Sequence, residues 1–164
     1  MAEPIIEQIV QEIVDRVNEV TTANGFQYDL DAARPTRHEI VSIELGEYVA
    51  PKDGVVLVVQ DNPELAEGGE LSGSPARLDW ILPVNLVAFC IESDRATTPI
   101  DRRLNRIRSD LEKKMREDPT RGGLAYDTRI QAPRQFPQSA QQTGIVVIID
   151  VYYRTSEDDP YTQG

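Results

Sequence analysis

The sequence predicts an α+β fold in which two helices pack on one face of a mainly antiparallel sheet. Apolar residues recur at helical spacing in two separate segments, and apolar or alternating segments lie between and after them. The predicted order is a helix, strands, a second helix and further strands. Because strands and helices do not alternate regularly, we expect the helices and the sheet to form two separate layers.

The first helix is predicted between residues 4 and 22. Pro4 suits a first helical turn, and Asn24 with Gly25 suits a stop. The gaps of three and four between its apolar residues place one wide stripe along the helix: Ile5, Ile6, Ile9, Val10, Ile13, Val14, Val17 and Val20. All of these residues are β-branched, so packing on a sheet must stabilise the helix.

Three strands are predicted between the two helices. Residues 38–45 alternate between apolar and polar, residues 55–60 are a short apolar run, and residues 78–92 form a long strand. Pro83 lacks a backbone donor and should mark a bulge or an edge in the long strand. The stretch 61–77 is rich in glycine and acidic residues and lacks periodicity, which predicts a mobile loop joining two strands.

The second helix is predicted between residues 98 and 117, with Thr98 as its cap and Pro99 at its first position. This net-acidic chain concentrates bases on the helix: Arg102, Arg103, Arg106, Arg108, Lys113, Lys114 and Arg116. The ordinary interpretation of such bases is a solvated helix face. The functional alternative is a partner interface, for which Arg102, Arg103 and Arg106 are the candidates.

Two more strands are predicted, at residues 124–131 and 144–155. On one face of the last strand we expect side chains that lie under the helices: Ile145, Val147, Ile149, Val151 and Tyr153. The opposite face is half polar and carries Val146, Ile148, Asp150, Tyr152 and Arg154. No third layer is predicted over it, so we expect another protein chain to cover it, with Tyr152 and Arg154 as interface residues.

Length and composition favour a single domain over residues 1–155, followed by an acidic tail at 156–164 that we expect to be loose in a monomer. The formal net charge of −11 disfavours a protein that binds and recognises DNA, because an acidic surface repels phosphates on average. No apolar run reaches the roughly 20 residues of a membrane helix. The start lacks the basic segment of a secretory signal and Cys90 is the single cysteine, which together favour synthesis inside a cell.

No motif for catalysis, cofactor binding or metal binding stands out. The single histidine, His38, has no recognisable nucleophile or orienting carboxylate nearby in sequence. The tail carboxylates Glu157, Asp158 and Asp159 lack the alternating ligands and the glycine of a calcium loop. The glycine pairs match no phosphate-binding motif. We therefore expect a protein that is not an enzyme and that uses neither a cofactor nor a metal.

Several segments carry a resemblance to a known family. They are the opening helix IIEQIVQEIVDRVNEVTTANGF, the strands around GVVLVVQDNPEL and LDWILPVNLVAFCI, the helix PIDRRLNRIRSDLEKKM and the ending VYYRTSEDDPYTQ. In order and spacing they resemble the tail terminator, or tail-completion, proteins of tailed bacteriophages. The resemblance covers the chain from Ile5 to about Tyr161, and its most specific parts are the spacing of the helices and the ending.

The resemblance implies a structural virion protein that forms a homo-oligomeric ring, expected to be hexameric, on the last ring of tail-tube protein. There it would end tube polymerisation and present a surface to the head-tail connector, or neck, protein. Genomic DNA would pass through the acidic ring without specific binding, since phosphate contacts come from lysine and arginine. The implied location is the tail or neck of the virion, and the host cytoplasm during assembly, with no role for a membrane.

Two alternatives remain at this point. A neck or head-completion ring protein would need the same ability to self-assemble and the same two contact faces. A small intracellular metal-dependent hydrolase is the alternative from a different class. Such an enzyme would need ligands that converge from several strands, and the chain has one histidine to offer.

Overall fold

A computed structural model describes residues 2–71, 76–91, 98–135 and 142–163 of the chain. Within these ranges there are three α-helices: α1 (Ile5–Asn18), α2 (Arg37–Glu44) and α3 (Ile100–Glu117). The same ranges contain seven strands: β1 (Asp31–Ala33), β2 (Val55–Gln60), β3 (Glu64–Leu71), β4 (Arg77–Ile91), β5 (Asp127–Ile130), β6 (Arg134–Gln135) and β7 (Gln142–Ser156).

The strands form one mixed sheet in the order β1-β2-β4-β7-β5, with β3 also paired to β4 and β6 to β7. The β1–β2 pair is parallel, and the other pairs are antiparallel. At the centre, β4 and β7 pair over their full lengths in one register, from Arg77 opposite Ser156 to Ile91 opposite Gln142. The predicted α+β class and the mainly antiparallel sheet are therefore confirmed.

The main hydrophobic core lies between the sheet and the helices α1 and α3. From the helices it receives Ile9, Val10, Ile13, Val17, Ile107, Leu111 and Met115. From β7 it receives the five residues that the alternation assigned to this face: Ile145, Val147, Ile149, Val151 and Tyr153. We call this side of the sheet the core face and the opposite side the second face.

Pro83 lies inside β4. On one edge of β4 it pairs with Asp150 of β7 without a bulge, and on the other edge it lies in the gap between β2 and β3. Its carbonyl accepts the Asp61 N–H at 2.9 Å. The pairing of β2 ends opposite Val84, and that of β3 begins opposite Ile81. Because the N and O atoms of a strand residue point to the same side, the missing donor of Pro83 faces this gap, where no ladder bond needs it.

The predicted strand at residues 38–45 is wrong, because this segment forms helix α2. Thr36 and Glu39 make a capping box: the Thr36 hydroxyl accepts the Glu39 N–H, and the Glu39 carboxylate accepts the Thr36 N–H. The alternation of Val41, Ile43 and Leu45 suggested a strand, but the box supplies the local signal that starts a helix. Helix α2 lies over the second face and supplies part of a third layer, which the sequence analysis did not predict.

The predicted mobile loop at residues 61–77 is also wrong in part. Residues Glu64–Leu71 form β3, which pairs with β4 and shifts register between Leu65 and Glu70. Residues 72–75 lie outside the described residues, as does Glu92 at the end of the predicted long strand. The segment therefore extends the sheet along β4, although its composition indicated a connector.

Two further boundaries differ from the prediction. The strand expected at 124–131 is confined to Asp127–Ile130, because Arg121, Gly122 and Gly123 adopt positive φ values in a turn that ends just before it.

The acidic tail, expected to be loose, contacts its own chain. The Pro160 carbonyl accepts the Ile5 N–H at 3.3 Å, and the Gln163 side-chain amide donates to the Gly123 carbonyl at 2.5 Å.

No helix within the described ranges is long and apolar enough to cross a membrane.

Burial of Tyr153 on the core face predicts a late alkaline titration. Burial raises the pKa of Tyr153 to about 12, whereas a tyrosine in an unfolded chain titrates near pH 10. Because the folded pKa is the higher one, this residue's contribution to stability is fully present below about pH 10 and is lost as the pH rises through about 12.

Ultraviolet absorbance of the phenolate during an alkaline titration tests this expectation. The Tyr153→Phe variant should lose the signal that develops near pH 12, while Tyr161→Phe, which removes an exposed ring, should keep it. Loss of a signal near pH 10 in Tyr153→Phe would place this ring at the surface and contradict the core assignment.

Candidate partner surface

The second face of the sheet has a covered end and an open end. At the covered end, β2, β4 and the segment after α2 contribute a small buried cluster: Ala50, Val55, Leu57, Val87 and Phe89. Ile43 of α2, Tyr48, Val59 and Val146 pack against it, and the Tyr48 and Phe89 rings lie 5.1 Å apart. The second face is therefore partly covered by its own chain, which corrects the prediction that this chain supplies no third layer over it.

A groove separates the covered end from the open end. It has a volume of about 300 Å³ and lies between α2 and the sheet. Ile40 and Ile43 form its helix wall, Val59 and Ile148 belong to its sheet wall, and Arg134 stands beside it. Most of this lining is aliphatic, so the groove is suited to apolar side chains of a partner.

The open end carries tyrosines and arginines arranged in contact with one another. The Tyr126 and Tyr152 rings have their centroids 6.1 Å apart. The Arg129 guanidinium lies 4.8 Å from the centre of the Tyr152 ring, and that of Arg154 lies 5.5 Å from the centre of Tyr126. We call Tyr126, Arg129, Tyr152 and Arg154 the tyrosine–arginine cluster.

The strand register explains why this cluster forms. Asp127 of β5 lies opposite Tyr152, and Asp79 of β4 lies opposite Arg154. Cross-strand neighbours on one face are close enough for their side chains to interact. Side chains from three adjacent strands therefore meet on a single surface.

Arg154 has a partner inside its own chain. Its Nε and Nη2 atoms donate to the two carboxylate oxygens of Asp79 at 2.6 and 3.1 Å. This hydrogen-bonded pairing raises the pKa of Arg154. The Asp79 side chain is 14% exposed and that of Arg154 is 33% exposed. Arg154 thus serves the fold as well as the surface, and its removal would leave a largely buried carboxylate without its base.

The three arginines of the predicted basic interface on α3 do not share one exposed face, because one of them is buried. Arg103 is 6% exposed, and its Nη atoms donate to Asp53 at 2.6 Å and to the Ile91 carbonyl at 3.1 Å. This burial removes Arg103 from the exposed basic face. Arg102 is exposed and Arg106 is half-buried, and neither forms an ion pair within the described ranges.

The spacing along α3 could have revealed the burial of Arg103. It precedes the core residue Ile107 by four positions, so both lie on the inward side of the helix. Lys114 follows Leu111 by three positions and is also buried, where it pairs with Glu19 and Glu117 at 2.8 Å each. Their charge suggests the solvated face, whereas their helical position relative to Ile107 and Leu111 indicates the buried side.

The remaining candidate groups do not come together. His38 lies exposed in the first turn of α2, and Cys90 is buried in the core. Across the described residues, no group of three or more histidine, cysteine, aspartate and glutamate side chains could hold a metal ion. The described geometry does bring together one surface on the second face, formed by the tyrosine–arginine cluster and the groove.

A scan of the sequence against known protein families and a search of curated proteins both found no match.

The half-buried pair of Arg154 and Asp79 should stabilise the fold more than the exposed pair of Arg129 and Asp127. In a double-mutant cycle with alanine, we expect a coupling energy on the order of 1 kcal/mol for Arg154 and Asp79, the upper end for solvent-accessible pairs. Denaturant titration of the native chain, the two single variants and the double variant gives the four free energies of unfolding that the cycle requires.

The exposed pair serves as the matched control, because it joins the same residue types on the same surface at 3.0 Å. Its coupling energy should be clearly smaller. Equal coupling energies for the two pairs would show that the burial of Asp79 does not strengthen the interaction.

Proposed function

We propose that this chain is a structural virion subunit that assembles as a ring on the end of a phage tail tube. In this role it ends tube polymerisation and forms the joint to the head-side connector. The observation that carries the proposal is the open end of the second face, where tyrosines and arginines lie on a rigid sheet. Aromatic residues and arginine are the types that most often anchor protein–protein contacts.

The resemblance of the segments to tail terminators suggests the kind of assembly, and the second face supplies a surface for one of its contacts. A ring subunit must contact its neighbours and also a partner above or below the ring. This chain has two chemically different surfaces on opposite sides of its sheet. The helix layer is strongly charged, while the second face combines a groove of about 300 Å³ with the tyrosine–arginine cluster.

The charge of the chain fits passage of DNA through such a ring. The formal net charge is −11 per chain, so a ring of several copies repels phosphate on average. Ten bases of the described residues pair with acids of the same chain, and four of these pairs are Arg103 with Asp53, Lys114 with Glu19, Arg121 with Glu12 and Arg154 with Asp79. Bases engaged in this way are poorly available for phosphate contacts.

A neck or head-completion ring is the neighbouring possibility within the same class of assembly. It would use the same surface but would bind the connector side only. Whether the protein stops the growth of a tube distinguishes the two roles directly.

Replacement of both tyrosines, Tyr126→Ala with Tyr152→Ala, should weaken the contact with the tube. Because an anchor residue contributes about 2 kcal/mol or more, we expect the affinity for tube ends to fall at least about thirtyfold. The measurement is the length distribution of polymerising tail tubes by electron microscopy. The native chain should yield capped tubes of limited length, and the double variant should not.

Tyr161→Ala is the matched control, because Tyr161 is 46% exposed and Tyr126 is 48% exposed, yet Tyr161 takes no part in the described ring contacts of the cluster. Circular dichroism should show that all variants keep the fold. Tube capping by the double variant at native concentrations would exclude the cluster as the contact. If the native chain bound a connector protein and never limited tube growth, the neck role would replace the proposed one.

A further inference from the structure

We propose that neighbouring copies in the ring associate head-to-tail, with an acidic groove on α1 of one copy receiving a basic stripe on α3 of the next. This inference rests on the proposed function, which requires a ring, and it names the contact between copies. The contact lies on the helix layer, so it leaves the second face free for the tube or the connector.

The acidic groove runs along the solvent side of α1 and has a volume of about 630 Å³. Four carboxylates line it, those of Glu3, Glu7, Glu12 and Asp15, against a single guanidinium, Arg34. Arg34 pairs with Glu7 at 2.5 Å, and Glu12 pairs with Arg16 at 2.8 Å. Glu3 and Asp15, at the two ends of the groove, form no ion pair within the described ranges.

The basic stripe consists of Arg102, Arg106, Lys113 and Arg116. With Ser109 between them, these residues are spaced by four, three, four and three positions, which aligns them along one side of α3. At about 1.5 Å per residue the stripe is about 21 Å long. Lys113 lies 4.7 Å from the centre of the Phe26 ring, and Arg116 pairs with Glu112 at 3.5 Å.

Within one chain the groove and the stripe do not meet. The two helices contact each other through other charges, which include Arg16 with Asp118 at 3.4 Å and Lys114 with Glu19 at 2.8 Å. No ion pair within the described ranges joins a groove carboxylate to a base of the stripe. Both surfaces are therefore available to other copies.

Two copies can pair these opposite charges in two ways. In a dimer with a two-fold axis, the groove of each copy would receive the stripe of the other, which uses both surfaces at once. In a head-to-tail contact, one groove and one stripe stay unused at every step, so the contact continues until a ring closes, as the proposed function requires. Since copies with a net charge of −11 repel one another on average, the local opposite charges also orient their encounter.

Two charge-reversed variants test the proposed contact. The acid-reversed variant carries Glu3→Lys and Asp15→Lys, and the base-reversed variant carries Arg102→Glu and Arg106→Glu. Each places like charges across the contact, so each alone should self-associate at least about tenfold more weakly than the native chain. Sedimentation velocity over a range of concentrations measures this association, and circular dichroism checks the fold.

An equimolar mixture of the two variants is the decisive experiment. The reversed groove of the first variant is complementary to the reversed stripe of the second, and their unaltered surfaces are complementary as well. The mixture should therefore recover assembly, with the two variants in equal numbers in each ring. A control with Glu157→Lys and Asp158→Lys makes the same change in net charge as the acid-reversed variant, but in the exposed tail, and should assemble like the native chain.

The outcomes separate this inference from the proposed function. Native-like assembly of either reversed variant would overturn the groove–stripe contact. So would a mixture of the two folded variants that does not recover assembly. In both cases a ring formed by the native chain would leave the proposed function standing. A native chain that remains monomeric at all concentrations would overturn both.

Discussion

The pairing of β4 with β7 is the constraint on which the rest of the structure depends. These two strands of fifteen residues run antiparallel in one register at the centre of the sheet. Because side chains alternate between the two faces, a slip of one residue would exchange the faces of a whole strand. This register therefore places Tyr153 in the core and Tyr152 on the second face, and it brings Asp79 beside Arg154.

Charged side chains also connect α1 with α3 and with the turn after it. Arg121 is fully buried and donates to the carbonyls of Met115 and Asp118, at the end of α3. It also lies 3.5 Å from the Glu12 carboxylate of α1. Burial lowers the pKa of Arg121, and the nearby carboxylates of Glu12 and Asp118 oppose that effect. These charged contacts add to the apolar packing of both helices on the sheet. The outer sides of the same helices carry the acidic groove and the basic stripe.

The strongly periodic parts of the fold were predictable from the sequence. The apolar stripes of α1 and α3 and the alternation in β7 are long enough for one period to dominate, and each places its residues on the observed face. Helix α2 was missed because eight residues carry too little periodicity, and the capping box of Thr36 and Glu39 was the better signal. Strand β3 was missed because pairing with β4 stabilises a glycine-rich segment whose own propensity is low.

The position of the candidate surface on the sheet was predictable from the sequence, whereas most of the side-chain contacts within it were not. Alternation alone places Tyr152 and Arg154 together on the second face. The contacts of Arg154 with Asp79 and of Tyr152 with Tyr126 join strands far apart in sequence, so only the sheet order reveals them. For Arg103, the charge suggested a surface position, but its spacing from Ile107 places it inside, where Asp53 neutralises it.

Native mass spectrometry of the purified chain tests the central claim most directly, because it counts the copies in the assembly. The account predicts one discrete oligomer, expected to contain six copies, that dissociates as the ionic strength rises and the charged contacts are screened. A chain that stays monomeric at every concentration, or that forms only a symmetric dimer, would contradict the account.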